Sequence, residues 1–257
     1  MTDSYLLSLR DINYSYHTLF GETKVLDHLS FGVKEGEFAA IVGPSGCGKS
    51  TLLSIIAGLL HPEDGTISVN NPDGSFSYPR IGYMLQHDHL FEWRSVYNNV
   101  TLGLEIQNRL TDERKDYVNK LLSDYGLEQF KDKRPNELSG GMKQRAALIR
   151  TLALDPQLLL LDEPFSALDY QTRLSVSADI CHLIRQTGKT ALLITHDLSE
   201  AISLADRIIV LSKRPATVKC ELPIRLTVKD HSPLAARNAP EFNGYFNQLW
   251  EEMKDEG

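Results

Sequence analysis

Eight residues, Gly43-Pro44-Ser45-Gly46-Cys47-Gly48-Lys49-Ser50, restrict this chain more than any other part of it. They fit G-x-x-x-x-G-K-[ST], a spacing that arises by chance in roughly one chain per hundred of this length. Context decides its meaning. The five residues before it, Phe38-Ala-Ala-Ile-Val42, read as a buried strand, and Lys49–Leu60 (KSTLLSIIAGLL) reads as an apolar helix stopped by His61-Pro62. Strand, glycine loop and helix together form an anion cradle. Glycines let successive backbone N–H groups turn inward, and the helix aims its N-terminus at the same charge. Lys49 would reach the β- and γ-phosphates of a nucleotide, and the Ser50 hydroxyl would ligate Mg²⁺.

A loop of this kind belongs to a parallel α/β sheet, and the rest of the pattern agrees. Residues 5–42 carry β-like stretches, and Asp64-Gly65 and Asp73-Gly74 mark turns around a short strand, Thr66–Val69. From 88 to 156 the character is helical: Asp112–Tyr125 places Val118, Leu121, Leu122 and Tyr125 on one face, with Gly126 as its stop. Strands return at Leu158–Leu161, Ala191–Thr195 and Arg207–Leu211, with helical runs near 172–186 and 199–205 between them. Alternation of this kind predicts a parallel sheet with a helical subdomain inserted into it. No element is predicted in the segment beyond 215.

Leu158-Leu-Leu-Leu161-Asp162-Glu163 puts two carboxylates at the C-terminal end of a buried strand, where ligands bind in open α/β sheets. Asp162 suits a Mg²⁺ shell. Glu163 suits the water that attacks a γ-phosphate, as general base or orienting group. Leu138-Ser139-Gly140-Gly141-Met142-Lys-Gln-Arg145 offers a second capped helix start with exposed N–H groups. One nucleotide has no use for two such helix ends from a single chain.

Composition narrows the partners. The chain has 257 residues, with 27 Lys and Arg against 34 Asp and Glu, a net charge of −7. No basic stripe is visible, so nucleic acid is not expected as a ligand. Its aliphatic runs fall short of the about 20 residues that a membrane helix needs. Met1-Thr2-Asp3-Ser4-Tyr5 lacks the basic and apolar start of a signal peptide, so the chain is expected to stay in the cytoplasm. Cys47, Cys181 and Cys220 fit neither a disulfide framework nor a zinc spacing and read as reduced thiols.

In order along the chain, GPSGCGKST (Gly43–Thr51), Gln86, LSGGMKQR (Leu138–Arg145), LLLLDEP (Leu158–Pro164), Ser166-Ala-Leu-Asp169 and Thr195-His196-Asp197 closely resemble the nucleotide-binding subunit of an ABC transporter. The resemblance extends to about residue 215 and implies an ATPase that uses ATP and Mg²⁺. It implies that Tyr16 stacks on adenine, that Gln86 senses Mg²⁺ and the γ-phosphate, and that His196 contacts the γ-phosphate. Asp169 would communicate across a dimer, in which Ser139–Gly141 of one chain close over ATP held by Gly43–Thr51 of the other. The implied layout is a nucleotide-binding core in two parts (1–87 and 157–215), a helical subdomain (88–156) and a C-terminal tail (216–257). The core is a P-loop NTPase fold with an N-terminal β subdomain.

His87-Asp-His-Leu-Phe-Glu92-Trp93-Arg94-Ser-Val96-Tyr-Asn-Asn-Val100 resembles the L-x-P-W-[RK]-[TS]-V-x-x-N-V run of importers for nitrate, sulfonate, taurine and thiamine-precursor pyrimidines, with Glu92 where that group has Pro. Arg225, Ser232-Pro233 and Pro240-Glu241-Phe242 look similar to that group as well. A membrane permease and an extracytoplasmic solute-binding protein are then the implied partners, at the cytoplasmic face of the membrane. Trp93 reads either as a core aromatic or as the wall of a groove for the permease. The segment 216–257 is too short for a regulatory domain. Two other readings remain: a non-transport ABC ATPase acting on a macromolecular complex, and a regulatory subunit that holds ATP without turnover. The span from Gln86 to Ser139 leaves no room for the coiled-coil insertion common in the first. The presence of Glu163 and His196 disfavours the second.

Overall fold

The computed structural model describes residues 5–19, 21–69, 80–228 and 232–254. Its strands are β1 (Tyr5–Thr18), β2 (Gly21–Lys34), β3 (Phe38–Val42), β4 (Asp64–Val69), β5 (Ile81–Met84), β6 (Leu158–Asp162), β7 (Thr190–Ile194), β8 (Arg207–Leu211) and β9 (Val218–Pro223). Its α-helices are α1 (Lys49–Ile56), α2 (Val96–Ile106), α3 (Asp112–Asp124), α4 (Gly140–Ala153), α5 (Tyr170–Gln186), α6 (Leu198–Leu204), α7 (Pro233–Arg237) and α8 (Phe242–Lys254).

Two sheets form. A six-stranded sheet runs β5-β6-β7-β3-β8-β9, parallel except for the antiparallel edge β9, and a three-stranded antiparallel sheet runs β2-β1-β4. The unbroken apolar runs of β3, β6 and β7 follow from burial on both faces. In β3, Ala39 and Ile41 pack with Leu52, Leu53 and Ile55 of α1 toward the antiparallel sheet. Ala40 and Val42 face the other way, into the core shared with α2 to α6 and α8. α1 is thus held between the two sheets. Burial of each such valine, leucine or isoleucine side chain stabilises the fold by about 1.5–3 kcal/mol.

The inserted helices start where capping residues place them. Ser95, Thr111 and Ser139 accept from the backbone N–H groups of Asn98, Arg114 and Met142. Val118, Leu121, Leu122 and Tyr125 are buried together, as their spacing predicts.

Three elements differ from the sequence pattern. α1 ends at Ile56 and not at Leu60, because Gly58 takes a left-handed φ of 73° and Leu59 N bonds back to Ser54 O at 2.9 Å. Asp64-Gly65 lies inside β4, with Asp64 opposite Asn13. The turn expected at Asp73-Gly74 lies outside the described residues. The segment beyond 215, where no element is predicted, contributes β9 to the main sheet and buries Phe242 and Leu249 of α8 in the larger core. No helix among the described residues is long and apolar enough to cross a membrane.

Candidate active site

Register brings the site together. In the parallel sheet Met84 pairs with Leu161, Asp162 with Ile194 and Ile41 with Ile194. The C-terminal ends of β5, β6, β7 and β3 therefore stand level at one edge. From that edge leave Gln86, the Asp162-Glu163 pair, Thr195-His196 and the loop Gly43–Gly48. This is the position at which open α/β sheets bind ligands.

The loop is shaped by glycine where a side chain would not fit. Gly48 has φ 118°, and a Cβ there would lie 2.6 Å from Val25 Cγ1. Lys49 is 8% exposed, and its ammonium donates to the carbonyls of Gly43 (2.8 Å) and Pro44 (2.9 Å). Cys47 Sγ lies 3.9 Å from the same ammonium, so the charge is kept inside the loop, where it suits an anionic ligand. Tyr16 projects from β1 beside the start of α1. Its hydroxyl lies 3.2 Å from Thr51 Oγ1, and its ring is 43% exposed and packs edge-on against Tyr14.

Asp162 ends β6 with 8% exposure and accepts from Ser50 Oγ at 3.3 Å and from Tyr83 OH at 3.5 Å. Burial pushes its carboxyl above the usual carboxylate range, the Ser50 hydrogen bond opposes this, and the Glu163 charge adds to it. Asp162 in turn helps to hold the half-buried Tyr83 phenol up at about 12, second to burial itself. A cation beside Ser50 and Asp162 would stabilise the ionised carboxylate, so this donor set fits Mg²⁺.

Glu163 adopts a left-handed φ of 44°, which costs a non-glycine residue roughly 1–3 kcal/mol. Its backbone N–H bonds to Ile194 O at 2.9 Å, and its carbonyl accepts from Ser166 Oγ at 3.0 Å. One carboxylate oxygen, Oε2, lies 3.3 Å from Gln86 Nε2 and 3.1 Å from His196 Nδ1. The strained backbone thus holds the carboxylate between the ends of two neighbouring loops.

Ser139 and Asp169 stand elsewhere. Ser139 caps α4, and a Cβ on Gly140 or Gly141 would meet Leu168 at 3.4 Å or Thr172 at 2.8 Å. The start of α4 therefore packs beside the start of α5. Asp169 caps α5, accepting from the N–H groups of Gln171 and Thr172 at 3.1 Å each, and hydrogen bonds from the Thr172 side chain first and its N–H second hold its carboxyl below the usual range. Both Ser139 and Asp169 are exposed.

Residues 26–166 match the sequence profile of the family described as ABC transporter. The chain belongs to that family. It is 43% identical, over 96% of its length and 95% of the relative's, to the uncharacterized ABC transporter ATP-binding protein YtlC of Bacillus subtilis. To the taurine import ATP-binding protein TauB of Jannaschia sp. it is 40% identical, covering 91% of this chain and 86% of that one. Among solved structures, the dimeric ATP-binding cassette MJ0796 bound to ADP and Pi superposes with a TM-score of 0.72 and 31% identity, covering 85% of this chain and 99% of the other. This ABC protein is an ATPase with the P-loop α/β cassette fold that the motifs predict.

Four polar residues around the site are absent from the sequence reading. Tyr83 reaches Asp162. Arg150 of α4 donates to Asp88 O (2.7 Å) and His89 O (2.8 Å), tying the helix that Ser139 caps to the segment after Gln86. Arg173 and Glu200 line a small cavity together with Glu163 and His196. Each belongs to the first turn of a helix, four residues after Asp169 and three after Asp197, and only that spacing from the caps could have drawn notice to them.

Proposed function

We propose that this ABC ATPase powers an import system, acting as a head-to-tail dimer at the cytoplasmic face of a membrane permease that receives solute from an extracytoplasmic binding protein. The proposed solute class is that of the nitrate, sulfonate, taurine and thiamine-precursor importers. The similarity to TauB and the Trp93-Arg94 run support this class.

The observation that carries the mechanism is the arrangement of Glu163. In this reading Gly43–Thr51 wrap the phosphates, Lys49 turns from the loop carbonyls to the β- and γ-phosphates, and Tyr16 stacks on adenine. Ser50, Asp162 and Gln86 would hold Mg²⁺, which supplies neutralisation of phosphate charge. Glu163 orients the attacking water and takes up its proton, while His196 and Gln86 fix the carboxylate and meet the γ-phosphate. Ser139–Gly141 and Asp169 act on the nucleotide of the partner cassette; Ser139 and Asp169 are both exposed, and the similar cassette MJ0796 is dimeric.

Trp93 is 72% exposed and packs against Phe91, with ring centroids 4.7 Å apart and planes tilted by 38°, so it is not a core aromatic. With Phe91 it offers an apolar anchor in the segment after Gln86. Co-expression with the permease and binding protein of the same locus, followed by reconstitution into vesicles, tests the proposal. ATP hydrolysis stimulated by loaded binding protein is the expected result. Turnover indifferent to permease and binding protein contradicts it.

A further inference from the structure

One arginine joins two of the loops described above. Arg173 follows Asp169 by one helical turn, and its Nη2 donates to Leu168 O, the carbonyl immediately before Asp169, at 3.1 Å. Its Nη1 lies 3.6 Å from Asp197 Oδ2, on the residue immediately after His196. The guanidinium therefore faces both loops at once. A planar fork suits this, because its two terminal nitrogens point to separate acceptors in a fixed geometry. Arg173 Nε is buried without a hydrogen-bond partner among the described residues, so the side chain is held by these two attachments.

The His196 side of the link is stiff. Asp197 Oδ1 accepts from Ser199 N (2.8 Å) and Glu200 N (3.1 Å), capping α6. Asp197 N donates to Thr195 Oγ1 at 3.1 Å, and that hydroxyl donates to the buried carboxyl of Glu200. Residues on both sides of His196 are thereby fixed to α6, and α6 is fixed through Asp197 to Arg173. Glu163, His196, Arg173, Asp197 and Glu200 line one small cavity together.

We propose that Arg173 is a positioning residue that ties the loop carrying Asp169 to the loop carrying His196, so that contact of Asp169 with a partner cassette sets the position of His196 against Glu163. Arg173 touches no reacting atom and acts through Asp197. This rests on the reading above, in which Asp169 meets the partner and His196 serves the Glu163 centre.

The test is steady-state ATPase turnover together with the ATP dissociation constant for Arg173→Gln, Arg173→Lys, Asp197→Asn, the double variant Arg173→Gln/Asp197→Asn, and His196→Ala. Arg173→Gln is expected to lower kcat about tenfold, within the range of such couplings. Its ATP affinity should stay within about twofold, since uniform binding is untouched. Arg173→Lys keeps the charge and guards against misfolding; its kcat should fall between those of wild type and Arg173→Gln. The double variant should lose no more than the worse single, because both remove one connection. A wild-type kcat in a folded Arg173→Lys or Arg173→Gln protein overturns the proposal. So do losses that multiply in the double variant, or a loss of ATP affinity that matches the loss of kcat. His196→Ala separates the two levels. If it leaves turnover intact, the reading of the Glu163 centre fails and the proposal with it. If it abolishes turnover while the Arg173 and Asp197 losses multiply, only the proposal fails.

Discussion

His196 Nδ1 stands 3.1 Å from Glu163 Oε2, across the ends of two adjacent parallel strands. The two residues are far apart in sequence and meet because Asp162 and Ile194 share a register pair. Strand register thus brings the imidazole to the carboxylate, which fits a task in which one carboxylate must aim at a water beside a phosphate.

Replacing Glu163 by Gln preserves shape and removes the charge. The variant should bind ATP with unchanged affinity and lose about 10²-fold or more in turnover, the scale of general-base removal. ATP-bound dimers should then accumulate on size exclusion. Turnover near the wild-type rate would take Glu163 out of the mechanism.

Trp93→Ala separates hydrolysis from coupling. The side chain is exposed, so melting temperature and ATPase activity of the isolated subunit should stay close to wild type. Assembly with the permease should weaken by ~2 kcal/mol or more, as when an interface hot spot is truncated. Pull-down and transport assays with the permease read this directly. Normal transport by the variant counts against the docking role.

Glu200 gives the fold a pH dependence. It is 7% exposed, and burial, with a smaller push from Asp197, raises its carboxyl to about 7, against the pull of the Thr195 hydrogen bond and of the Arg173 and His196 charges. Between the ordinary value of 4.5 and about 7 the folded protein holds a proton that the unfolded chain has released. This contribution to stability is present below pH 4.5 and lost as pH rises through that window. Glu200→Gln should flatten this part of the stability profile, with its melting temperature gaining on wild type up to about pH 7 and running parallel above. Parallel curves across the whole window would show that Glu200 titrates normally.

Much of this was legible from the sequence because the site is built from contiguous motifs at strand ends. The run Phe38–Val42 followed by Gly43–Ser50 specifies strand, cradle and helix together, and Leu158–Glu163 specifies a second strand end. Order along the sheet was not legible, since pairing of β6 with β5 and β7 depends on long-range register. Nor was the fate of the segment beyond 215, where β9 is a half-exposed edge strand without an apolar run. Arg173 and Glu200 escaped for a related reason. Each is an ordinary helix residue locally and gains its surroundings only when α5 and α6 are brought under the same edge of the sheet.

The shared site is the centre of the account, and a mixed dimer tests it most directly. One protomer carries Lys49→Ala and its partner carries Ser139→Arg, both in a Glu163→Gln background that prevents turnover. If each nucleotide lies between Lys49 of one chain and Ser139 of the other, one site collects both defects and the second keeps both residues intact. The mixed dimer should then occlude one ATP per pair, against two for the Glu163→Gln homodimer. Occlusion near zero in the mixed dimer, with the homodimer near two, would mean that each chain builds its site alone and would contradict the head-to-tail arrangement.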